Sequence, residues 1–243
     1  MDVQIRERLE QVQQQIARAA QSSGRRAEDV RLVVVTKAQP VELIRAVVAA
    51  GARILGENYP EETLPKMAAF AADPTAGVEW HMIGHVQSRK ANLVAENFSM
   101  LHSLDSLRLA ERLERRLAEV DRRLPVLLEF NVGGEDSKSG WWAAPGAECD
   151  PCLPDLEQIF SLPHLDVRGV MAMPPLFDDP ERARPFFVQA QRILAALAKR
   201  YPQAGPWNEL SMGTSSDYQV AIQEGATYVR VGTAIVGPRP PRQ

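Results

Sequence analysis

Apolar positions change their spacing in a regular way along this chain. Over residues 2–22, Ile5, Leu9, Val12 and Ile16 recur at helical intervals with polar residues between them, and Gly24 follows as a stop. Short β-branched and apolar runs then alternate with helical stretches. The runs begin near Arg31, Arg53, Val78, Ser99, Leu124, Leu165, Trp207 and Thr227, which makes eight strands about 28 residues apart. Runs such as Val33 to Val35 and Val126 to Leu128 are apolar on both faces, as parallel strands covered by helices must be. Alternation alone also suits an open doubly wound sheet. Eight units, and no G-x-G-x-x-G after the first strand, favour an α/β fold with a single (β/α)8 TIM-type barrel. The expectation is one domain over residues 1–243, with the helix of residues 1–24 packed on it.

Several intervening helices are well marked. Leu109, Leu113 and Leu117 form a stripe after Asp105, the expected N-cap, and Phe186, Ala190, Ile193, Leu197 and Tyr201 form another. These stripes read as core packing. The stretch from Gly133 to Pro154, after the fifth strand, is long for a βα connection and marks a functional or mobile loop.

Composition narrows the function classes. The 243 residues carry 28 Lys plus Arg against 31 Asp plus Glu, a net charge of −3, and 24% are charged. With acids and bases interspersed there is no basic face for nucleic acid, so a small-molecule ligand is expected. No run reaches the ~18 apolar residues of a membrane span, and the Gln-rich start lacks a signal-peptide apolar region. The expected setting is the cytoplasm, away from membranes, and the expected state is a monomer.

Candidate chemistry follows from where a barrel puts its site, at the carboxyl ends of the strands. Lys37 closes the first strand in phase with Val33 and Val35. Such a lysine is either a solvated strand end or an amine raised into the barrel mouth. In low-dielectric surroundings an ammonium is driven toward the neutral amine that forms Schiff bases. After the seventh and eighth strands, Ser211, Gly213, Gly232 and Thr233 supply the hydroxyls and close-approach backbone of a phosphate cradle, or else two ordinary turns. Asp217 is the expected cap of the helix SSDYQVAIQEG. On the eighth strand Val229 and Val231 form the helix-facing set, so Arg230 points inward and must meet a ligand or an acid such as Glu57. A Schiff-base lysine, a phosphate cradle and an inward arginine together describe pyridoxal 5′-phosphate.

The segments VVVTKAQP, GENYPEE, WHMIGHVQSRKAN, LHSLDSLRLAERL, VLLEFNVGGEDSKSG, LSMGTSSDYQVAIQEGA and VRVGTAIVG stand in order from Val33 to Gly237. In that order they resemble the motifs of the pyridoxal phosphate homeostasis proteins. The resemblance implies a barrel like the N-terminal domain of alanine racemase, the cofactor held as an imine on Lys37, a role in cofactor homeostasis and no established turnover. It also implies phosphate contacts from Ser211, Gly232 and Thr233, Asn58 beside the ring, and Arg230 facing the ring nitrogen. Apo-enzymes that use the cofactor are the implied partners. Departures from the family pattern are Pro60, Thr214 and the run WWAAPGAECDPC.

Other features carry less. Cys149 and Cys152 form one C-x-x-C, but structural zinc needs about four ligands and there is no second pair. His81 and His85 lie ~13 Å apart along a strand, too far to share a metal. Lys90 and Lys138 are either solvated lysines or secondary cofactor contacts. Against the carrier reading stand a pyridoxal phosphate racemase or decarboxylase and a Schiff-base aldolase. An arginine at the ring nitrogen weakens the electron sink that amino-acid chemistry uses. Only six residues follow Gly237, so the second domain that completes alanine racemases is expected to be absent. The aldolase leaves Arg230 unexplained.

Overall fold

The computed structural model describes residues 2–71, 77–135, 138–146 and 152–238. Eight parallel strands close into a barrel: β1 (Arg31–Val35), β2 (Ile54–Glu57), β3 (Glu79–Met82), β4 (Met100–Leu104), β5 (Leu124–Asn131), β7 (Leu165–Ala172), β8 (Glu209–Ser211) and β9 (Tyr228–Val231). Pairing of β1 with β9 and of β4 with β5 removes both sheet edges. All eight expected strands are present. A two-residue strand, β6 (Trp141–Trp142), pairs with the end of β5 inside the long loop, where the Trp-Trp run is too short to be read as a strand from spacing.

Helices α2 (Val41–Ala49), α3 (Pro60–Phe70), α4 (Ala91–Asn97), α5 (Leu107–Glu119), α6 (Leu153–Phe160), α7 (Arg184–Arg200) and α8 (Tyr218–Gln223) follow successive barrel strands, and the one-turn α9 (Thr233–Val236) follows the last. The N-terminal helix α1 (Asp2–Ser22) buries Ile5, Leu9, Val12 and Ile16 and packs on α8, α9 and α2. The stripes of α5 and α7 face the sheet as their periodicity requires. Two capping expectations need correction. The cap of α5 is Ser106, whose Oγ accepts from the Leu109 amide, while Asp105 turns to His85. Asp217 stands before α8 but accepts from the Thr214 amide at 2.6 Å, bracing the preceding loop instead of the helix.

Strand alternation separates two apolar regions. Outward positions join the helices in one continuous core, whereas Val33, Met100, Leu127, Met171 and Tyr228 fill the barrel interior. The same alternation corrects the expected partner of Arg230. Ile54 and Gly56 face inward, so Glu57 faces outward toward α3, where its Oε1 accepts from Lys66 Nζ at 2.6 Å and from Thr36 Oγ1 at 2.7 Å. Lys66 also donates to the Thr36 carbonyl at 3.0 Å, and both members of the ion pair are buried. This buried pair pins the residue immediately before Lys37.

Removing one partner of such a pair leaves an uncompensated buried charge, whereas an apolar pair of similar volume does not. Lys66→Ala should therefore lower stability by about 3–5 kcal/mol in urea unfolding. The double replacement of Lys66 by Met and Glu57 by Leu should recover most of that loss. A Lys66→Ala protein as stable as the parent would show that the pair contributes nothing.

Candidate functional site

A cavity of about 640 Å³ opens at the carboxyl end of the barrel. Lys37 reaches it from the turn after β1, with Val35 beside it. The turn is tight: Ala38 adopts φ 58°, a left-handed conformation unusual for a residue with a Cβ, of the kind that clusters at functional sites. Asn58 lies at the end of β2, packed so closely on Gly84 that a Cβ there would come within 2.8 Å of it. Its Oδ1 is buried without a hydrogen-bond partner among the described residues.

Across the mouth, Thr214, Ser215 and Ser216 from the β8–α8 loop meet Gly232 and Thr233 at the end of β9. The loop is held from within. Gly213 takes φ +86° against Tyr218 and Ala221, the Asp217 carboxylate accepts from Thr214, and Ser215 Oγ accepts from the Gly232 amide at 3.1 Å. The result is a row of hydroxyls beside backbone that carries no side chain at Gly232.

Arg230 forms part of the cavity floor, pointing inward as its phase requires. One guanidinium nitrogen donates to Ser211 Oγ at 2.7 Å and the other to the Ala172 carbonyl at 3.1 Å. Burial pushes its pKa down to about 10, against the pull of Asp217 and Glu129, so it remains a cation at neutral pH. Ser211 is thereby displaced from its expected role. Its side chain is fully buried, bonded to Arg230 and to His102, and lies outside the cavity lining; the loop hydroxyls that do line it begin three residues later.

Sequence reasoning missed Glu129. It shares the inward phase of Leu127 on β5 and lines the cavity, with Oε2 buried and without a partner among the described residues. Burial pushes its carboxyl up to about 7, with Asp105 acting in the same direction and Arg230, His85 and Lys138 opposing. The signal was an acid inside the otherwise apolar run VLLEF, two positions short of the strand end. Of the two secondary lysines, Lys138 lines the cavity, and Lys90 instead pairs with Glu61. Among the described residues there is no group of three metal-ligating side chains. Cys152 is disulfide-bonded; Cys149 lies outside the described residues.

An amine, a row of hydroxyls, an inward guanidinium and two orphaned buried oxygens around one volume suit a ligand that is at once a carbonyl compound, an anion and a hydrogen-bonding ring. Comparison with known proteins points the same way. The sequence profile of the family described as "Alanine racemase, N-terminal domain" matches residues 8–240. The pyridoxal phosphate homeostasis protein of Vibrio cholerae is 39% identical over 236 residues, which cover 97% of this chain and 96% of that one. PipY of Synechococcus elongatus, solved with PLP bound, superposes with a TM-score of 0.82 at 34% identity, covering 96% of this chain and 100% of PipY. The alanine racemase of Clostridium difficile shares the barrel alone, with a TM-score of 0.68 at 14% identity over 98% of this chain and 56% of the racemase. The chain belongs to the family of pyridoxal phosphate homeostasis proteins, built on the barrel of the alanine racemase N-terminal domain.

Proposed function

We propose that this protein binds pyridoxal 5′-phosphate in the carboxyl-end cavity, holds it covalently through Lys37, and serves to store and release it within the cell. The observation that carries this reading is the convergence of Lys37, Arg230 and the hydroxyl loops on one cavity. The naming of relatives as homeostasis proteins and the PLP reported bound to PipY support it.

When bound, the cofactor supplies an aldehyde for the lysine amine and a ring able to withdraw electrons. Lys37 provides the amine. Ser215, Ser216 and Thr233 would provide donors for the phosphate, and the Gly232 amide, donating to Ser215 Oγ, holds that hydroxyl in place beside them. Asn58 would border the ring, and Arg230 would donate to the ring nitrogen. A guanidinium has donors and no acceptor, so it favours a ring nitrogen without a proton and damps electron withdrawal. Binding is thereby separated from amino-acid chemistry. Lys138, at the rim and donating to the Pro174 carbonyl, lies where cofactor enters or leaves. Apo-enzymes that need the cofactor are the natural recipients.

A second reading, a pyridoxal phosphate-dependent racemase or decarboxylase, has one observation in its favour: Glu129, titrating near neutrality in the same cavity, supplies a second acid–base group besides Lys37. It ranks below the carrier because Arg230 is buried and positioned to withhold the proton that the ring nitrogen would need.

Borohydride reduction of the PLP-loaded protein, followed by peptide mass mapping, should place the pyridoxyl mass on the peptide containing Lys37, and Lys37→Ala should abolish it. An adduct confined to Lys138 would refute the assignment.

Replacing Ser215 and Thr233 together by Ala should weaken PLP far more than pyridoxal, by roughly tenfold or more per lost charge-assisted bond. Equal losses for the two ligands would put the phosphate elsewhere.

The decisive functional assay incubates loaded protein with a panel of L- and D-amino acids, alongside an apo-enzyme acceptor. Cofactor transfer is expected without turnover at the ~1–10³ per second typical of enzymes. Sustained turnover that disappears in Lys37→Ala would establish the enzyme reading.

A further inference from the structure

Arg230 is one end of a file of polar side chains that crosses the barrel interior. Its guanidinium meets Ser211 Oγ at 2.7 Å on the neighbouring strand β8. Ser211 Oγ lies 2.8 Å from His102 Nδ1 on β4, which is not a neighbour of β8, so the file spans the lumen. His102 Nε2 lies 2.9 Å from His81 Nδ1 on β3, and His81 Nε2 faces the Glu79 carboxylate at 3.4 Å. Arg230, Ser211, His102 and His81 are all buried, whereas Glu79 stands exposed at the amino end. The Tyr228 ring packs in a T-shaped arrangement against His81 and His102, with centroids 5.8 and 5.0 Å away.

The two ends fix the direction of every bond between them. Arginine only donates, so Ser211 Oγ accepts from it and has a single hydroxyl proton left to give. If that proton goes to His102 Nδ1, His102 carries its own proton on Nε2 and donates to His81 Nδ1. His81 then carries its proton on Nε2 and donates to the Glu79 carboxylate. The reverse polarity sets a bare His81 nitrogen against that carboxylate and leaves the serine proton without an acceptor. Only the first arrangement satisfies each group. Burial, together with the neighbouring Arg230, holds His102 well below the usual histidine range, so its imidazole is neutral and has one proton to place; a hydrogen bond from His81 holds the Glu79 carboxyl low, as an accepting anion requires.

We propose that this one-directional chain from Arg230 to Glu79 holds the guanidinium aimed at the cofactor site, with His102 as the positioning residue that keeps the Ser211 hydroxyl turned away from Arg230. The proposal rests on the reading that Arg230 meets bound PLP. It describes a strut and not a proton wire, because arginine at the cofactor end has no site to accept a proton.

The chain and the cofactor reading can be tested separately. Long-range proton–nitrogen spectra of the full protein labelled in its histidines report tautomers without cofactor. Both His81 and His102 are expected with Nε2 protonated and Nδ1 bare at neutral pH; a proton on Nδ1 of either, or a charged imidazole, overturns the proposal. PLP dissociation and the absorption spectrum of the loaded protein are then compared in His102→Leu and His102→Asn, because the asparagine amide oxygen replaces Nδ1 as acceptor for Ser211 and leucine does not. About tenfold faster release and a shifted spectrum are expected in His102→Leu, with both restored close to the parent in His102→Asn. Pyridoxal should be affected as much as PLP, since the phosphate loops are untouched. Identical behaviour of the two variants, or none differing from the parent, refutes the positioning role. Should His102→Leu fail to fold, Ser211→Ala removes the same acceptor for Arg230 and must reproduce the faster release, and parent-like release there is equally fatal. A parent protein that takes up no PLP would defeat the cofactor reading, while the tautomer spectrum still judges the chain.

Discussion

A guanidinium enclosed in a barrel cannot shed its proton at neutral pH and cannot accept a hydrogen bond, so everything around Arg230 must be arranged to receive from it. Its charge is stabilised at a distance by Asp217 and Glu129, and its N–H groups are met by the Ser211 hydroxyl and the Ala172 carbonyl. An unmet buried cation would cost several kcal/mol. That requirement explains why serine and two histidines occupy lumen positions that an ordinary barrel fills with branched aliphatics.

The barrel accommodates this polar interior by keeping its hydrophobic stabilisation elsewhere. Most of the apolar core lies between strands and helices, extended by α1, while the lumen contributes a small cluster below the site. The division follows from the two-residue period of the strands: each strand gives one face to the helices and the other to the lumen. Function can therefore occupy lumen positions without thinning the outer core. The outward Glu57–Lys66 pair is the exception, a buried charge placed on the helix side, where it anchors the turn carrying Lys37.

Glu129 marks the tension between holding a cofactor and using it. A carboxyl that titrates near neutrality inside the cavity is a competent proton donor or acceptor, and it shares the site with the permanent cation of Arg230. Lys138 lies at the same rim, within the loop that Asn131 braces through its bonds to Glu135 and Gly134. The cavity thus has a hydrogen-bonded floor at Arg230 and an edge built from the long loop after β5.

Much of the architecture was legible in the residue order. Helical and strand periodicities are local properties, so eight strands, the amphipathic α1 and the inward phases of Lys37 and Arg230 could be read one segment at a time. Several motifs in order were enough to indicate the family and its ligand. What the order could not disclose was which inward residues meet. Glu57 was a reasonable partner for Arg230 until its outward phase set it against Lys66, and Ser211 stood among the phosphate residues until closure placed it beneath Arg230. His81 and His102, 21 residues apart, and His102 and Ser211, 109 apart, become neighbours only once the strands are staggered around a closed barrel. Register and closure are collective properties of the whole sheet, and for that reason the identity of the groups was written in the sequence while their contacts were decided by the tertiary structure.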